Sequence, residues 1–288
     1  MSAESPSWQP DLKYYQRVAE SNVMAELHVG ARAVVALGRL LRFGRYEIIT
    51  TPAFDRTDLS GGNIIVSPVH RDGLDTVLLP SALERVGIRH ARPAAKLELF
   101  QNSIMRWTLD GLGAFPVDRK SPNMEGFDLA HAGILSRGGN VTNYAEGTRV
   151  HKDVLRVAKV KSGVARAAVA NNSLIVPVGI AGLSSEKDDQ GNVIRRDTRS
   201  WFGIGPKLVF AFGDPFRLVS KFASAEVGDI EMAGGDLSSS EQKERDRGMV
   251  SELRDMNTQI REAMQLALDA AYEARGSGLE EVIIPDAA

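Results

Sequence analysis

Two residues five apart, His70 and Asp75, form the pair in this chain best suited to acid–base chemistry. On one ideal helix they would point about 140° from each other, at roughly 100° per residue, so they can meet only if the chain turns between them. Gly73 makes such a turn accessible. Once together, Asp75 can accept the Nδ1 proton of His70, fix the tautomer and leave Nε2 as a general base. The same six residues also fit a plain loop histidine followed by a carboxylate at a helix N-terminus, because H-x4-D is a short pattern.

Other polar residues stand where short apolar runs end. Gly113-Ala114-Phe115-Pro116-Val117-Asp118-Arg119 closes on a cation, and Asn140 to Tyr144 runs into Glu146-Gly147-Thr148-Arg149. Arg119 and Arg149 are permanently charged and can fork onto phosphate oxygens. Gly147 allows close backbone approach, and Thr148 adds a hydroxyl. Singly, each arginine fits a surface ion pair; together, they point to a dianion site beside a base.

Such a site needs a frame that brings distant residues to one edge. The β-branched run Ile64 to Val66 reads as a strand buried on both faces, ended by Pro68 and followed by a helix over Thr76 to Glu84. Strands are expected at Tyr46–Thr51, Ile88–Ala95, Asn140–Tyr144, Leu174–Ile180 and Lys207–Gly213. Helices are expected at Leu97–Asp110, Met124–Arg137 and from Gly163 to about Asn171. This alternation predicts an α/β fold, a mostly parallel sheet flanked by helices. In such a sheet, ligands bind at the carboxyl ends of the strands, where His70, Arg119 and Glu146 fall. Ser238 to Glu241 offers a capping box to a long C-terminal helix over 238–275, after which the last residues read as frayed. The polar stretch Leu183 to Pro206 fits a lid or an ordinary surface excursion.

Residues 1–45 read as a separate N-terminal helical segment ahead of a 46–288 α/β domain. Between His28 and Tyr46 the only charges are Arg32, Arg39, Arg42 and Arg45, edging a stripe that includes Val34, Leu37, Leu40 and Leu41. An apolar stripe bordered by arginine fits a helix lying in a membrane interface, and equally one covering a core or a dimer contact.

The composition narrows the function classes. The 288 residues carry a net charge of −2, which gives no global attraction to nucleic acid. With no cysteine there is no thiolate metal site and no cysteine nucleophile, and His28, His90, His131 and His151 are too scattered for a zinc site. His70-Arg71-Asp72 mimics a kinase catalytic loop, but Val77 stands where that motif needs asparagine. There is no G-x-S-x-G elbow either.

Taken in order, the blocks resemble the lysophospholipid and glycerophosphate acyltransferases. H-x4-D appears as His70 to Asp75, G-x5-R as Gly113 to Arg119, E-G-T-R as Glu146 to Arg149, and the apolar proline block as Val176-Pro177-Val178. The resemblance covers about Tyr46 to Phe216 and is most like the 1-acylglycerol-3-phosphate acyltransferases. Asp72 stands where the family often has Ser or Thr, and Tyr144-Ala145 where it usually has Phe-Pro. The resemblance implies that His70 and Asp75 are catalytic and that Arg119, Glu146, Gly147, Thr148, Arg149 and Pro177 bind substrate. It implies transfer of a fatty acyl group from acyl-CoA or acyl carrier protein, as co-substrate and without a cofactor, to a lysophospholipid hydroxyl. The acceptor is 1-acylglycerol-3-phosphate or, as the alternative, glycerol-3-phosphate or another lysophospholipid. Peripheral attachment to the cytoplasmic face of a membrane, through Val23 to Tyr46, is expected from the apolar stripe and its four arginines.

Overall fold

A computed structural model describes residues 8–21, 46–73, 75–118, 124–182, 184–196, 208–220, 239–276 and 280–281. In chain order these form α1 (Leu12–Glu20), β1 (Tyr46–Thr50), α2 (Pro52–Arg56), β2 (Ile64–Pro68), α3 (Asp75–Arg85) and β3 (Ala91–Lys96). Then come a 3-10 turn (Leu97–Gln101), α4 (Ser103–Gly111), β4 (Phe115–Val117), α5 (Glu125–Leu135), β5 (Asn140–Thr142) and α6 (Gly163–Ala170). The chain closes with β6 (Leu174–Ala181), β7 (Ser185–Lys187), β8 (Val193–Arg196), β9 (Leu208–Phe212), α7 (Ser239–Arg275) and β10 (Glu280–Glu281).

Seven strands make the main sheet in the order β1-β9-β6-β2-β5-β3-β4, parallel at every pairing except β6 with β9. β2 lies at its centre, and Ile64, Ile65 and Val66 are fully buried, as expected of a β-branched run covered on both faces. Because β2, β3, β4, β5 and β6 run the same way, their carboxyl ends share one edge.

Two prolines lie inside strands where the missing N–H matters least. Pro93 sits where β3 changes partner, Ala91–Pro93 pairing with β5 and Ala94–Lys96 with β4. Pro177 sits in β6 just beyond the β9 ladder, which begins at Val178.

The long helix α7 covers one face of the sheet, burying Met256, Ile260, Met264, Ala267 and Leu268. Its approach depends on Gly179 of β6, where a Cβ would fall 2.1 Å from the carbonyl oxygen of Ala267. The other face carries α1 and α5, which pack on each other.

Two expectations need correction. Leu97 to Asp110 is not one helix: the chain breaks at Asn102, whose side chain accepts from the N–H groups of Ile104 and Met105 and starts α4 anew. In consequence Ile104 and Trp107 of α4 point to solvent, 75% and 77% exposed. The C-terminal residues Glu280 and Glu281 pair with β8 in a small three-stranded sheet with β7. Of the N-terminal helical segment, α1 is observed, while residues 22–45 lie outside the described residues. Residues 197–206 of the polar stretch Leu183 to Pro206, with Trp201 and Phe202, lie outside them too. No helix among the described residues is long and apolar enough to cross a membrane.

Candidate active site

The chain leaves β2 at Pro68, is still held to β6 by the Val69 N–H on the Val178 carbonyl, and then turns sharply at His70. The turn is wound around one carboxylate. Asp75 Oδ2 accepts the backbone N–H of Arg71 at 2.6 Å and of Asp72 at 2.8 Å. Asp75 is also the first residue of α3, so it meets the positive end of that helix.

These bonds bring the imidazole and the carboxylate together, as the turn at Gly73 permits. His70 Nδ1 lies 3.3 Å from Asp75 Oδ2. Asp75 is sealed from solvent whereas the His70 side chain is 16% exposed, so a substrate can reach the base and not its partner. Burial pushes the Asp75 carboxyl up, opposed by its bonds from His70, Asp72 and Arg71. With Nδ1–H donated to Asp75, the neutral tautomer carries its lone pair on Nε2.

Glu146 reaches the same turn from the loop after β5, but it faces inward. Its Oε2 accepts the His70 N–H at 2.9 Å, its Oε1 accepts the Ala158 N–H at 2.8 Å, and both oxygens lie 3.0 Å from Arg71 Nη1. Arg71 is 1% exposed, and its remaining nitrogens donate to the carbonyls of Val154 and Arg156. The expectation that Glu146 contacts substrate therefore meets a carboxylate whose oxygens are both taken up inside the protein. Its geometry is that of a clamp on the backbone of His70.

Sequence reasoning missed Arg71, which crosslinks the His70 turn to the segment Val154–Ala158. Nothing in H-R-D separates a buried arginine from a surface one; the only signal was its place between the paired residues.

The rest of the E-G-T-R block faces outward. Gly147 has φ +72° in a turn closed by its N–H on the Tyr144 carbonyl, and the Lys161 side chain passes so close that a Cβ there would fall 2.9 Å from its Cε. Thr148 and Arg149 are exposed, and an Arg149 Nη1 stands 3.7 Å from where a Cβ of Gly73 would lie. The structure thus places one guanidinium against the H-x4-D turn. Arg119 lies outside the described residues, while Val117, ending β4 just before it, is on the same sheet edge as the end of β2. Pro177 is buried inside β6 opposite Ser67, with its ring against Gly213, and is a packing residue rather than part of the cleft surface.

A solvent-reachable imidazole held by a buried carboxylate, with a guanidinium beside it, can deprotonate an alcohol carried by an anionic molecule. The match of residues 47–181 to a known family runs in the same direction. Residues 47–181, which span the strands and loops just described, match the Acyltransferase family model. A 1-acyl-sn-glycerol-3-phosphate acyltransferase of Bacillus subtilis (strain 168) is 29% identical over 124 residues, 43% of this chain and 58% of that protein. The chain thus spans under two thirds of that relative's length. The crystal structure of the 1-acyl-sn-glycerophosphate acyltransferase PlsC from Thermotoga maritima matches with a TM-score of 0.48 and 17% identity, covering 79% of this chain and 90% of that one. Over residues 47–181, the chain is similar to the acyltransferase family.

Proposed function

We propose that the chain transfers a fatty acyl group from an acyl thioester, acyl-CoA or acyl carrier protein, to the free hydroxyl of 1-acylglycerol-3-phosphate, giving phosphatidic acid. The observation that carries this reading is the His70–Asp75 contact, which leaves Nε2 as the basic nitrogen on the exposed side of the pair. Nε2 removes the hydroxyl proton as the oxygen attacks the thioester carbonyl; the tetrahedral intermediate then expels the thiolate as the C–S bond breaks. The imidazolium returns its proton to the sulfur, so base and leaving group balance. A thioester is already activated, so the step calls for neither an enzyme nucleophile nor a cofactor.

Arg149, beside the turn, and Arg119 are proposed to hold the acceptor's phosphate, with Gly147 and Thr148 close to its glycerol. The test is release of free thiol from acyl-CoA or acyl carrier protein with a panel of acceptors. We expect 1-acylglycerol-3-phosphate to be preferred over glycerol-3-phosphate and other lysophospholipids. In the same assay His70→Ala lowers turnover at least about 10²-fold, and Arg119→Ala mainly raises the acceptor KM. Activity unchanged in His70→Ala would remove the imidazole from the mechanism.

The acceptor is a membrane lipid, and the arginine-edged stripe in residues 23–46 is proposed to hold the protein to the cytoplasmic face of the bilayer. Deleting that segment should abolish flotation with anionic liposomes; flotation that survives the deletion would assign attachment elsewhere.

A further inference from the structure

The carboxylate of the catalytic pair is loaded on one side. Asp75 Oδ2 takes two backbone N–H groups and the imidazole, whereas Oδ1, equally sealed from water, has no hydrogen-bond partner. A second such atom belongs to a neighbour: the hydroxyl of Tyr144 is buried and has no partner.

Tyr144 leaves the end of β5 two residues before Glu146, and its ring stands 4.3 Å from the imidazole of His70, centroid to centroid, tilted by 38°. Burial, helped by the nearby charge of Asp75, pushes its phenol well above the ordinary value of 10.0. The hydroxyl therefore keeps its proton and is a donor. Buried tyrosine hydroxyls normally find an acceptor, and a buried carboxylate oxygen without a donor is costlier still. The donor lacking an acceptor sits on the ring packed against His70, and the acceptor lacking a donor sits on the carboxylate that His70 faces, so the two are the halves of one interaction.

We propose that Tyr144 is a positioning residue for the reaction: its ring backs the His70 imidazole, and its hydroxyl, directly or through one enclosed water, holds Asp75 Oδ1. This rests on the reading of His70 as the base. With both oxygens engaged, the carboxylate cannot pivot away from Nδ1, and the added donor favours its ionised form. Other groups around the pair are Arg71 with Glu146, Asp72, whose N–H donates to Asp75, Arg149 beside Gly73, His151, which lies near Arg149 and Asp72, and Tyr272 of α7, whose hydroxyl is bonded to Ser184. All of these remain in a variant that changes Tyr144 alone.

Tyr144→Phe keeps the ring and removes the hydroxyl. Without that donor Asp75 is harder to ionise and, once ionised, binds the imidazolium more strongly; both effects raise the pH at which the base becomes competent. We expect the acid limb of kcat/KM to move up by about one unit and kcat near neutrality to fall roughly ten-fold, with both KM values within about two-fold. The downfield Nδ1 proton resonance of His70, observed by NMR on the full chain without substrate, should move upfield or vanish. A hydroxyl that merely filled space would leave all three unchanged, and that result overturns the proposal. Because the resonance is read without turnover, a His70→Ala variant that kept its activity would defeat the base reading separately.

Discussion

Three donors converge on the Glu146 carboxylate, and one of them is the backbone N–H of His70, the proposed base. Removing one partner of a buried ion pair leaves an uncompensated charge, at a cost of about 3 to 5 kcal/mol. Glu146→Gln should therefore lower stability by about 3 kcal/mol, because Arg71 remains buried and charged. It should also lower kcat, since the turn that aims His70 loses an anchor. Urea denaturation and steady-state kinetics together check this. Wild-type stability with a raised acceptor KM would instead place Glu146 on the substrate. Residue by residue, the His70–Asp75 contact was legible because a histidine and a carboxylate five apart can meet only across a turn. Arg71 and Glu146 were less so: whether a charge faces a ligand or a partner depends on the loop Val154–Ala158, whose sequence carries no sign of it.

At the scale of elements, legibility followed how tightly burial constrains composition. β2, β6 and β9 are covered on both faces and admit only runs such as Ile-Ile-Val, Leu-Ile-Val and Leu-Val-Phe, so they could be read directly. The α7 helix was readable for a related reason, since Ile260, Met264 and Ala267 repeat at the spacing of one buried face. Leu97 to Gly111 defeats the same logic. Leu97 and Phe100 are buried by the 3-10 turn, Leu109 by α4, and Ile104 and Trp107 by neither, so a repeat that fits one helix is shared among two elements and solvent. The decisive residue is Asn102, which captures two backbone N–H groups and restarts the helix. A side-chain cap in mid-pattern carries no hydrophobic signature.

Over the whole molecule, two buried titratable groups pull stability in opposite directions with pH. His131 of α5 is fully buried against Phe115 and Phe127, donates from Nδ1 to the Phe127 carbonyl at 2.8 Å, and faces the Asn143 side-chain nitrogen with Nε2 at 3.4 Å. Burial holds it down at about 4, although the Phe127 carbonyl and Asp128 raise it. In the unfolded chain it titrates near its usual ~6.5, so between the two values the unfolded state takes up a proton that the fold refuses. Its contribution is complete above ~6.5 and is lost as the pH falls toward 4. Asp75 has the reverse sign: raised by burial, it favours folding in acid and that contribution fades as the pH rises through its folded value. The Asp75 carboxylate thus weakens the fold near neutral pH, while His131 protects it there. Between pH 7 and 4 the His131 term amounts to about 3 kcal/mol, a large share of the roughly 5 to 15 kcal/mol of an ordinary domain. We expect urea unfolding free energies to fall more steeply in that range for the native protein than for His131→Gln, which can keep polar contacts but cannot titrate. Parallel curves for the two proteins would show that the acid sensitivity of the fold arises elsewhere.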